Sequence, residues 1–451
     1  MAHLYSAPVK TSDPTATLTS RSLPSVAPRR GDRGHHITGL SRMSGPTPSA
    51  PRPRLAPHWR HRVVAVLAAA LLLLSRGVAP AGEMVARAQD DATPAATREV
   101  PPPPDVSAAA AIAVDIDSDQ VLYALNADEP RAPASTTKMA TALVVTRNVE
   151  DPEGVNVVVE EGDTVDVTVF SNMGFEAGDT LTVQDLLYGL LLPSGNDAAK
   201  ALARTVGADL PGGDADPTKA FVDAMNALAA DLGATETTFK NPAGEDEEGQ
   251  VSTARDLAII AAALLDDPIL ATIVATPEMY VVSAGPEARG FNLVNTNQTL
   301  LREEGILGVK TGTTEAAGGC LVAAARVAES RVVTVVLGSE IVDDAALSGS
   351  LSEDPRFVDT LRLIRGLFQD YEWVSPTDQE SVPSLASLEE ALAVWGVTMD
   401  NTADLVVPAG SREDLSFRLR LGPSGQAGDE VGRVLFFAGP DLIAERPLYQ
   451  M

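Results

Sequence analysis

The stretch Ala134-Ser135-Thr136-Thr137-Lys138-Met139-Ala140 decides both the fold and the chemistry of this chain. Pro130 and Pro133 precede it and apolar residues at helical spacing follow it, so Ser135 is predicted to lie at or just inside a helix N-terminus. Lys138 then follows one turn later on the same face. Two interpretations are open at this point: a nucleophile with its base, or an N-capping serine with a solvated lysine.

The composition indicates a globular body with a strongly acidic surface. The chain has 451 residues, of which 45% are hydrophobic and 21% charged, which suffices for two domains with one sizeable core. Residues 1–88 carry twelve Lys/Arg against three Asp/Glu, which leaves 22 basic and 59 acidic residues in the rest of the chain. Such a surface repels nucleic acid and anionic lipid, so we expect no nucleic-acid partner.

Histidine and cysteine are almost missing from the predicted body. All five histidines precede residue 63, and Cys320 is the only cysteine. Disulfides, Cys/His zinc sites, Cys–His dyads and Ser-His-Asp triads are therefore excluded after residue 62. A nucleophilic hydrolase must here activate its nucleophile with lysine or a carboxylate, and we expect neither a metal nor a cofactor. Cys320 lies in a strand-like apolar run and is predicted to be a small core residue.

The first hundred residues are predicted to precede the folded body. Residues 1–62 are rich in Pro, Ser, Arg and Gly without apolar periodicity, which is typical of disorder. Residues 63–88 contain a twelve-residue apolar run and small-residue sites, which indicates a signal peptide, with an uncleaved signal anchor as the alternative. A start at Met43 rather than Met1 would give a more ordinary leader. Residues 89–105 form a Pro-rich linker. We therefore expect an exported protein, secreted or N-terminally anchored, with membrane contact only through an uncleaved N-terminal segment.

The order of predicted elements indicates an α+β catalytic domain over residues 106–375 and a small β-rich domain over residues 376–451. A strand hairpin comes first, many helices follow, and a strand meander with a closing helix completes the larger domain. This order predicts an antiparallel sheet assembled from both ends of the domain. Residues 155–169 alternate between apolar and polar, which predicts further strands. After residue 376, turn signals separate short apolar segments, which predicts a small all-β domain.

Two further segments place polar residues at sharp turns. Ser194-Gly195-Asn196 follows an apolar helix that Pro193 ends, and the glycine permits a tight turn that projects both polar side chains. Lys310-Thr311-Gly312-Thr313 ends an apolar strand, where glycine lets another backbone or a ligand approach closely. Taken singly, the first segment is equally a helix–turn–helix connection, and the second a strand that runs into a polar turn.

Together, the order Ser-x-x-Lys, Ser-x-Asn and Lys-Thr-Gly resembles that of the penicillin-recognising serine enzymes. Lysine usage agrees with this likeness, since only five lysines against seventeen arginines follow residue 88, yet Lys138 and Lys310 stand in the motifs. Of these two residue types, only lysine can lose its proton and act as a base, because arginine stays charged. The resemblance implies a β-lactamase/transpeptidase-like fold, with an antiparallel sheet flanked by helices on both faces.

Other segments resemble the low-molecular-mass D-alanyl-D-alanine carboxypeptidases, peptidase family S11. The likeness covers roughly residues 105–451, and the last part resembles the β-domain that trails that family's catalytic domain. One departure is Asn241-Pro-Ala, where relatives often carry a histidine nearby. The segments that carry the likeness are Ser194–Ala198, Phe239–Gly244, Gly249–Ala258, Asn295–Asn297 and Val431–Tyr449.

The resemblance implies an acyl-enzyme mechanism on a peptidoglycan stem peptide that ends in D-Ala-D-Ala, with β-lactams as acylating inhibitors. Ser135 would be the nucleophile and Lys138 its base, with burial and the neighbouring charge of Lys310 lowering the pKa of Lys138. Ser194 and Asn196 would relay a proton and position the substrate amide. Backbone N–H groups would hold the oxyanion. The third motif would bind the substrate carboxylate through Lys310, Thr311, Gly312 and Thr313. A helix-start arginine, Arg356, is a further candidate for that role, with a plain surface position as the alternative.

Three other functions share these residues. A class A β-lactamase needs a glutamate on a loop between the second and third motifs, where Glu236 and the acidic segment 245–248 fall. The sequence Ser-Gly-Asn and the extra C-terminal domain argue against that enzyme. A DD-endopeptidase that cuts cross-links uses the same residues. A catalytically silent cell-wall or β-lactam sensor would keep the site without turnover.

Overall fold

The computed structural model describes residues 104–301, 303–341, 354–377, 382–399 and 402–451. The predictions for residues 1–62 and 63–88, and nearly all of the predicted linker, lie outside these ranges. Within them, no single helix is long and apolar enough to cross a membrane; only a pair of consecutive helices, bent by 107°, meets the length and composition together.

Strands and helices alternate in blocks along the described residues. The strands are β1 (Ala110–Asp115), β2 (Gln120–Leu125), β3 (Asn156–Val158), β4 (Thr180–Thr182), β5 (Glu278–Val282), β6 (Gly290–Val294), β7 (Ile306–Thr314), β8 (Gly318–Val327), β9 (Ser330–Ser339), β10 (Tyr371–Val374), β11 (Val397–Met399), β12 (Leu405–Pro408), β13 (Leu415–Leu421), β14 (Glu430–Ala438) and β15 (Asp441–Gln450). The helices are α1 (Lys138–Asn148), α2 (Val183–Leu191), α3 (Asn196–Ala208), α4 (Pro217–Leu232), α5 (Ala254–Asp266), α6 (Pro268–Val274), α7 (Pro355–Asp370) and α8 (Leu388–Trp395).

A five-stranded antiparallel sheet with the order β2-β1-β9-β8-β7 forms the centre of the larger domain. Strand β1 pairs with β2 on one side and with β9 on the other, so the first hairpin of the domain lies beside its last meander. This confirms the predicted assembly of the sheet from both ends of the domain. It also puts β7, which carries the third motif, at the edge of the sheet.

The sheet is buried on both faces, because successive side chains of a strand point in opposite directions. In β1, Ala110 and Ile112 pack into the main helical core, whereas Ala111 and Ala113 pack against the other side. There they meet Leu363 and Leu367 of α7, respectively. The predicted sheet with helices on both faces is therefore confirmed, and its strands read as apolar runs for this reason.

The prediction of strands across residues 155–169 is wrong beyond β3. Val167 and Val169 are 63% and 68% exposed, so the alternation does not mark a buried face. A 3-10 turn at Glu161–Asp163 follows β3 instead. The buried carboxylate of Asp163 accepts hydrogen bonds from Arg204 on α3, which ties this segment to a helix rather than to a neighbouring strand.

The C-terminal region builds a four-stranded antiparallel sheet, β11-β15-β14-β13, and the pair β10–β12. It also contains α8, a helix that we did not anticipate, which ends at Gly396 in the left-handed region (φ +63°). Strand β10 precedes the predicted boundary at residue 376 but pairs with β12 beyond it. Trp373 in β10 donates its indole N–H to Asp115 at 2.7 Å, so the two regions are in direct contact.

Candidate active site

Ser135 lies in a 3-10 turn, Ala134–Thr137, directly before α1, and Lys138 is the first residue of that helix. Neither the turn nor the helix has a side-chain N-cap hydrogen bond. The side chain of Lys138 is fully buried, and its Nζ lies 2.8 Å from Ser135 Oγ. The structure therefore excludes the interpretation as a capping serine and a solvated lysine.

Lys138 Nζ makes three close polar contacts, which come from three separate parts of the chain. Besides Ser135 Oγ, it reaches Asn196 Oδ1 at 2.7 Å and the backbone carbonyl of Ala243 at 2.6 Å. A carbonyl oxygen and an amide oxygen can only accept. The serine hydroxyl is thus the one partner of the three that can also donate a proton to nitrogen.

The electrostatic environment of Lys138 favours a neutral amine. Burial lowers its pKa to about 7, while the carboxylates of Glu245 and Asp197 act in the opposite direction. Burial also lowers the pKa of Lys310 well below its usual range, with further contributions from the charges of Lys138 and Arg356. Burial, one of the two causes that we expected, is thus the leading cause of the lowered pKa of Lys138. Repulsion between the two ammonium groups is reciprocal, so charge on either disfavours charge on the other.

The second motif forms a strained turn between α2 and α3. Ser194 has φ +65°, which is unusual for a residue other than glycine, and its side chain is buried. A Cβ at Gly195 would lie 2.8 Å from the carbonyl oxygen of Gly189, so no other residue fits there without a shift. The carboxylate of Asp197 accepts backbone hydrogen bonds from residue 173, at 2.9 Å, and holds the turn in place. Asn196, the first residue of α3, therefore contacts Lys138 from a fixed position.

The third motif lies on β7 opposite Ser135. Lys310 is buried and donates to the carbonyl of Thr311 at 3.0 Å. The hydroxyl of Thr311 lies 2.6 Å from that of Thr296. A Cβ at Gly312 would lie 2.9 Å from the backbone nitrogen of Ser135, so the glycine permits the strand to approach the nucleophile.

Arg356, at the start of α7, lies beside the third motif and not on a free surface. Its Nη1 donates to the carbonyl of Gly312 at 3.1 Å and to the hydroxyl of Thr313 at 2.6 Å. Its Nη2 forms an ion pair with Asp354 at 2.7 Å. The structure thus brings all nine candidate residues of the sequence analysis into one region.

The segment 241–245 also belongs to this region, although we singled out none of its residues as part of the site. Besides the Ala243 carbonyl, it supplies Glu245, whose Oε1 accepts a hydrogen bond from Asn196 Nδ2 at 3.0 Å. Gly244 has φ +85°, and a Cβ there would lie 1.9 Å from the carbonyl oxygen of Ala134. The Asn-Pro-Ala-Gly composition signals the turn, but no sequence signal reveals that a backbone carbonyl contacts the lysine.

A cavity of about 340 Å³ borders the turn that carries Ser135. Three of its residues are acidic, yet within the described part of the chain no group of His, Cys, Asp or Glu is arranged to hold a metal ion. The cavity is lined by Ala132, Pro133, Ala134, Asp246, Glu247, Glu248, Gln250 and Ala316.

Cys320 stands opposite Gly312 in the register of β7 and β8 and is fully buried. Burial raises the pKa of its thiol to about 11, which keeps it protonated and unreactive. The prediction of a small core residue is confirmed.

The chain is similar in sequence to known proteins. A family model for D-alanyl-D-alanine carboxypeptidases, peptidase family S11, matches residues 96–341, more than half of the chain. This chain belongs to that family. The D-alanyl-D-alanine carboxypeptidase DacC of Escherichia coli (strain K12) is 32% identical over 358 residues, which cover 75% of this chain and 82% of that protein. DacF of Bacillus subtilis (strain 168) is 34% identical over 235 residues, or 51% of this chain and 57% of that relative's length.

Solved structures agree with the family. The Streptomyces K15 DD-transpeptidase has a TM-score of 0.53 at 30% identity and covers 58% of this chain and 98% of its own. DacD from Francisella tularensis, at 22% identity, has a TM-score of 0.59, covers 78% of this chain and 94% of its own, and supports the fold. The predicted S11 family, the α+β fold and the enzyme class, a serine-type carboxypeptidase, are thereby confirmed.

Proposed function

We propose that the protein removes the terminal D-alanine from peptidoglycan stem pentapeptides through an acyl-enzyme on Ser135, outside the cytoplasm, and that β-lactams acylate the same serine. The observation that carries this proposal is the 2.8 Å contact between the nucleophile and a fully buried lysine. The names of the relatives, which are D-alanyl-D-alanine carboxypeptidases, support the substrate.

Neutral Lys138 is the base that activates Ser135. A neutral amine has two N–H groups and one lone pair, whereas its three partners include two obligate acceptors, Asn196 Oδ1 and the Ala243 carbonyl. Both N–H groups donate to these acceptors, which leaves the lone pair directed at Ser135 Oγ. As Oγ attacks the carbonyl carbon between the two D-alanines, its proton passes to Lys138.

The tetrahedral intermediate forms between the turn that carries Ser135 and strand β7. Its oxyanion accepts hydrogen bonds from the backbone N–H groups of Ser135 and Thr313. The close approach of Gly312 to the Ser135 nitrogen supports this pairing, because it brings the two backbones side by side.

The third motif and Arg356 bind the carboxylate of the terminal D-alanine. Lys310 supplies an ammonium group. Because that group is buried beside Lys138, a negatively charged partner strongly stabilises its protonated form. Thr311 and Thr313 supply hydroxyl groups. Arg356 holds Thr313 in place and adds positive charge that Asp354 offsets in part.

The proton of Lys138 then moves to the leaving amine through the hydroxyl of Ser194, and Asn196 positions the substrate amide. The C–N bond breaks and D-alanine departs, which leaves the remaining peptide as an ester on Ser135 and Lys138 neutral again. Lys138 next takes a proton from water, whose oxygen attacks the ester carbonyl. Collapse of that intermediate returns the proton to Ser135 and releases the tetrapeptide.

Release of D-alanine from a pentapeptide that ends in D-Ala-D-Ala tests the function, with the wild type compared with Ser135→Ala. We expect release by the wild type, none by the variant, and penicillin labelling of the wild type alone. Penicillin labelling without D-alanine release would instead favour the sensor, and fast penicillin hydrolysis would favour the β-lactamase.

A further inference from the structure

We propose that Glu245 is a positioning residue that fixes which atom of the Asn196 amide faces Lys138. This inference rests on the proposed function, because it assigns Lys138 the role of base. Neither the three motifs nor the roles given above include Glu245.

The geometry is a chain of two hydrogen bonds through one side-chain amide. Glu245 Oε1 accepts from Asn196 Nδ2 at 3.0 Å, and Asn196 Oδ1 accepts from Lys138 Nζ at 2.7 Å. The oxygen and nitrogen of an amide have nearly the same shape, so sterics alone hardly decide its orientation. An ionised carboxylate only accepts, and it therefore keeps Nδ2 on its own side.

A flipped amide would remove the base. Asn196 Nδ2 would then face Lys138, and the amine would have to turn its lone pair towards that donor. One of its N–H groups would consequently point at Ser135, which could no longer give up its proton. Because the Ala243 carbonyl accepts in either case, Asn196 is the partner whose orientation decides the outcome.

Glu245 is itself held at its backbone. Asn241 Oδ1 accepts from the N–H of Glu245 at 3.0 Å, and Asn241 Nδ2 donates to the Glu245 carbonyl at 3.1 Å. The side chain of Gln250 donates to that carbonyl as well. The half-buried carboxylate thus extends from a fixed point towards Asn196.

The charge of Glu245 has a second effect, on the protonation of Lys138. The charged groups that act on Lys138 are Glu245, Asp197 on α3 and, by repulsion, Lys310 on β7. Glu245 opposes the lowering that burial causes, so its removal lowers the pKa of Lys138 further. Substitution of Glu245 can therefore test two effects separately: the orientation of the Asn196 amide and the effect of the Glu245 charge on the pKa of Lys138.

Two variants distinguish these effects. Glu245→Gln removes the charge and leaves an amide that can accept from Asn196 but can also donate to it, whereas Glu245→Ala removes both the charge and the acceptor. Glu236→Gln is the matched control, since Glu236 is an exposed carboxylate that also lies between the second and third motifs. The measurement is the second-order rate constant for acylation by a fluorescent penicillin, from about pH 5.5 to 9.

We expect both Glu245 variants to shift the rising limb of the pH–rate profile to lower pH, by about half to one unit. We expect Glu245→Ala to lower the plateau about fivefold to twentyfold, and Glu245→Gln to lower it less, because its amide oxygen accepts from Asn196 in one of its two orientations. Glu236→Gln should overlay the wild type.

If penicillin acylates the wild type but the Glu245 variants show the same pH–rate profile as the wild type, the inference fails and the proposed function stands. Equal loss of the plateau in both variants, without a shift of the limb, would also overturn it, because it would indicate a purely structural role. If the wild type neither releases D-alanine nor takes up penicillin, the proposed function fails first and the inference fails with it.

Discussion

Gly312 and Ser135 are so close that a Cβ at Gly312 would lie 2.9 Å from the backbone nitrogen of Ser135. The same Cβ would lie 3.0 Å from the Cβ of Ala134, so the contact involves the whole turn. The glycine of the third motif therefore has a physical reason, which is to let an edge strand lie against the nucleophile. Any side chain at this position has to push β7 and the turn apart.

We predict that Gly312→Ala lowers the rate constant for penicillin acylation about a hundredfold, because misplacing reacting groups by about 1 Å costs that much. Gly162→Ala is the control, since a Cβ at Gly162 meets no atom within 4 Å and that glycine needs no left-handed conformation. Acylation at the wild-type rate by Gly312→Ala would contradict the close packing described here.

Lys138→Arg should abolish acylation, with a loss of at least about a thousandfold, because arginine keeps its proton and cannot serve as a base. Lys219→Arg is the control, since Lys219 is an exposed lysine that pairs with Asp223 on α4. Labelling by fluorescent penicillin, followed over time on both variants, measures the difference. If Lys138→Arg is still acylated at a rate near that of the wild type, Lys138 is not the base.

The rate of acylation should rise with pH and level off above about pH 7. Burial depresses the pKa of Lys138 to about 7, so the base is protonated below that pH and neutral above it. Below the midpoint the rate constant should fall about tenfold for each pH unit. A rate that stays constant down to about pH 5 would show that the titrating base is not Lys138.

Arg356→Ala should weaken recognition of the substrate carboxylate. It removes the donor to Thr313 and leaves Asp354 without its ion pair, so we expect KM for the pentapeptide to rise about tenfold with a smaller change in kcat. We expect the wild type to prefer the peptide with a free C-terminal carboxylate over the same peptide amidated at its C-terminus. In Arg356→Ala this preference should disappear. Arg362→Ala, on the same helix but half exposed, is the control. Unchanged discrimination between acid and amide in Arg356→Ala would exclude this role.

Much of this arrangement could be predicted from short-range sequence patterns. The spacing of Ser135 and Lys138, with the apolar residues that follow, predicts that the two lie one turn apart at a helix start, and Pro193 with Gly195 predicts the turn between α2 and α3. The meeting of the three motifs could not be derived from the residues, because the contacts span 58 and 105 positions between Lys138 and its partners Asn196 and Ala243. That step depended on family resemblance.

The errors have separate physical reasons. Apolar alternation over residues 155–169 predicted strands, but Val167 and Val169 are exposed, and Asp163 pairs with Arg204 on a helix. Glu245 was noted only as part of an acidic segment, because its contact with Asn196 depends on a turn that Asn241 closes. A contact of this kind has no periodicity and no fixed spacing in the sequence.

The central claim is that a neutral Lys138 activates Ser135, and the protonation of that lysine can be measured directly. The chain has only six lysines, so the 13Cε resonances of labelled lysine can be followed through a pH titration and Lys138 assigned from Lys138→Arg. We predict that the resonance missing in Lys138→Arg titrates near pH 7 in the wild type. A midpoint near the ordinary value of 10.5 would contradict the account.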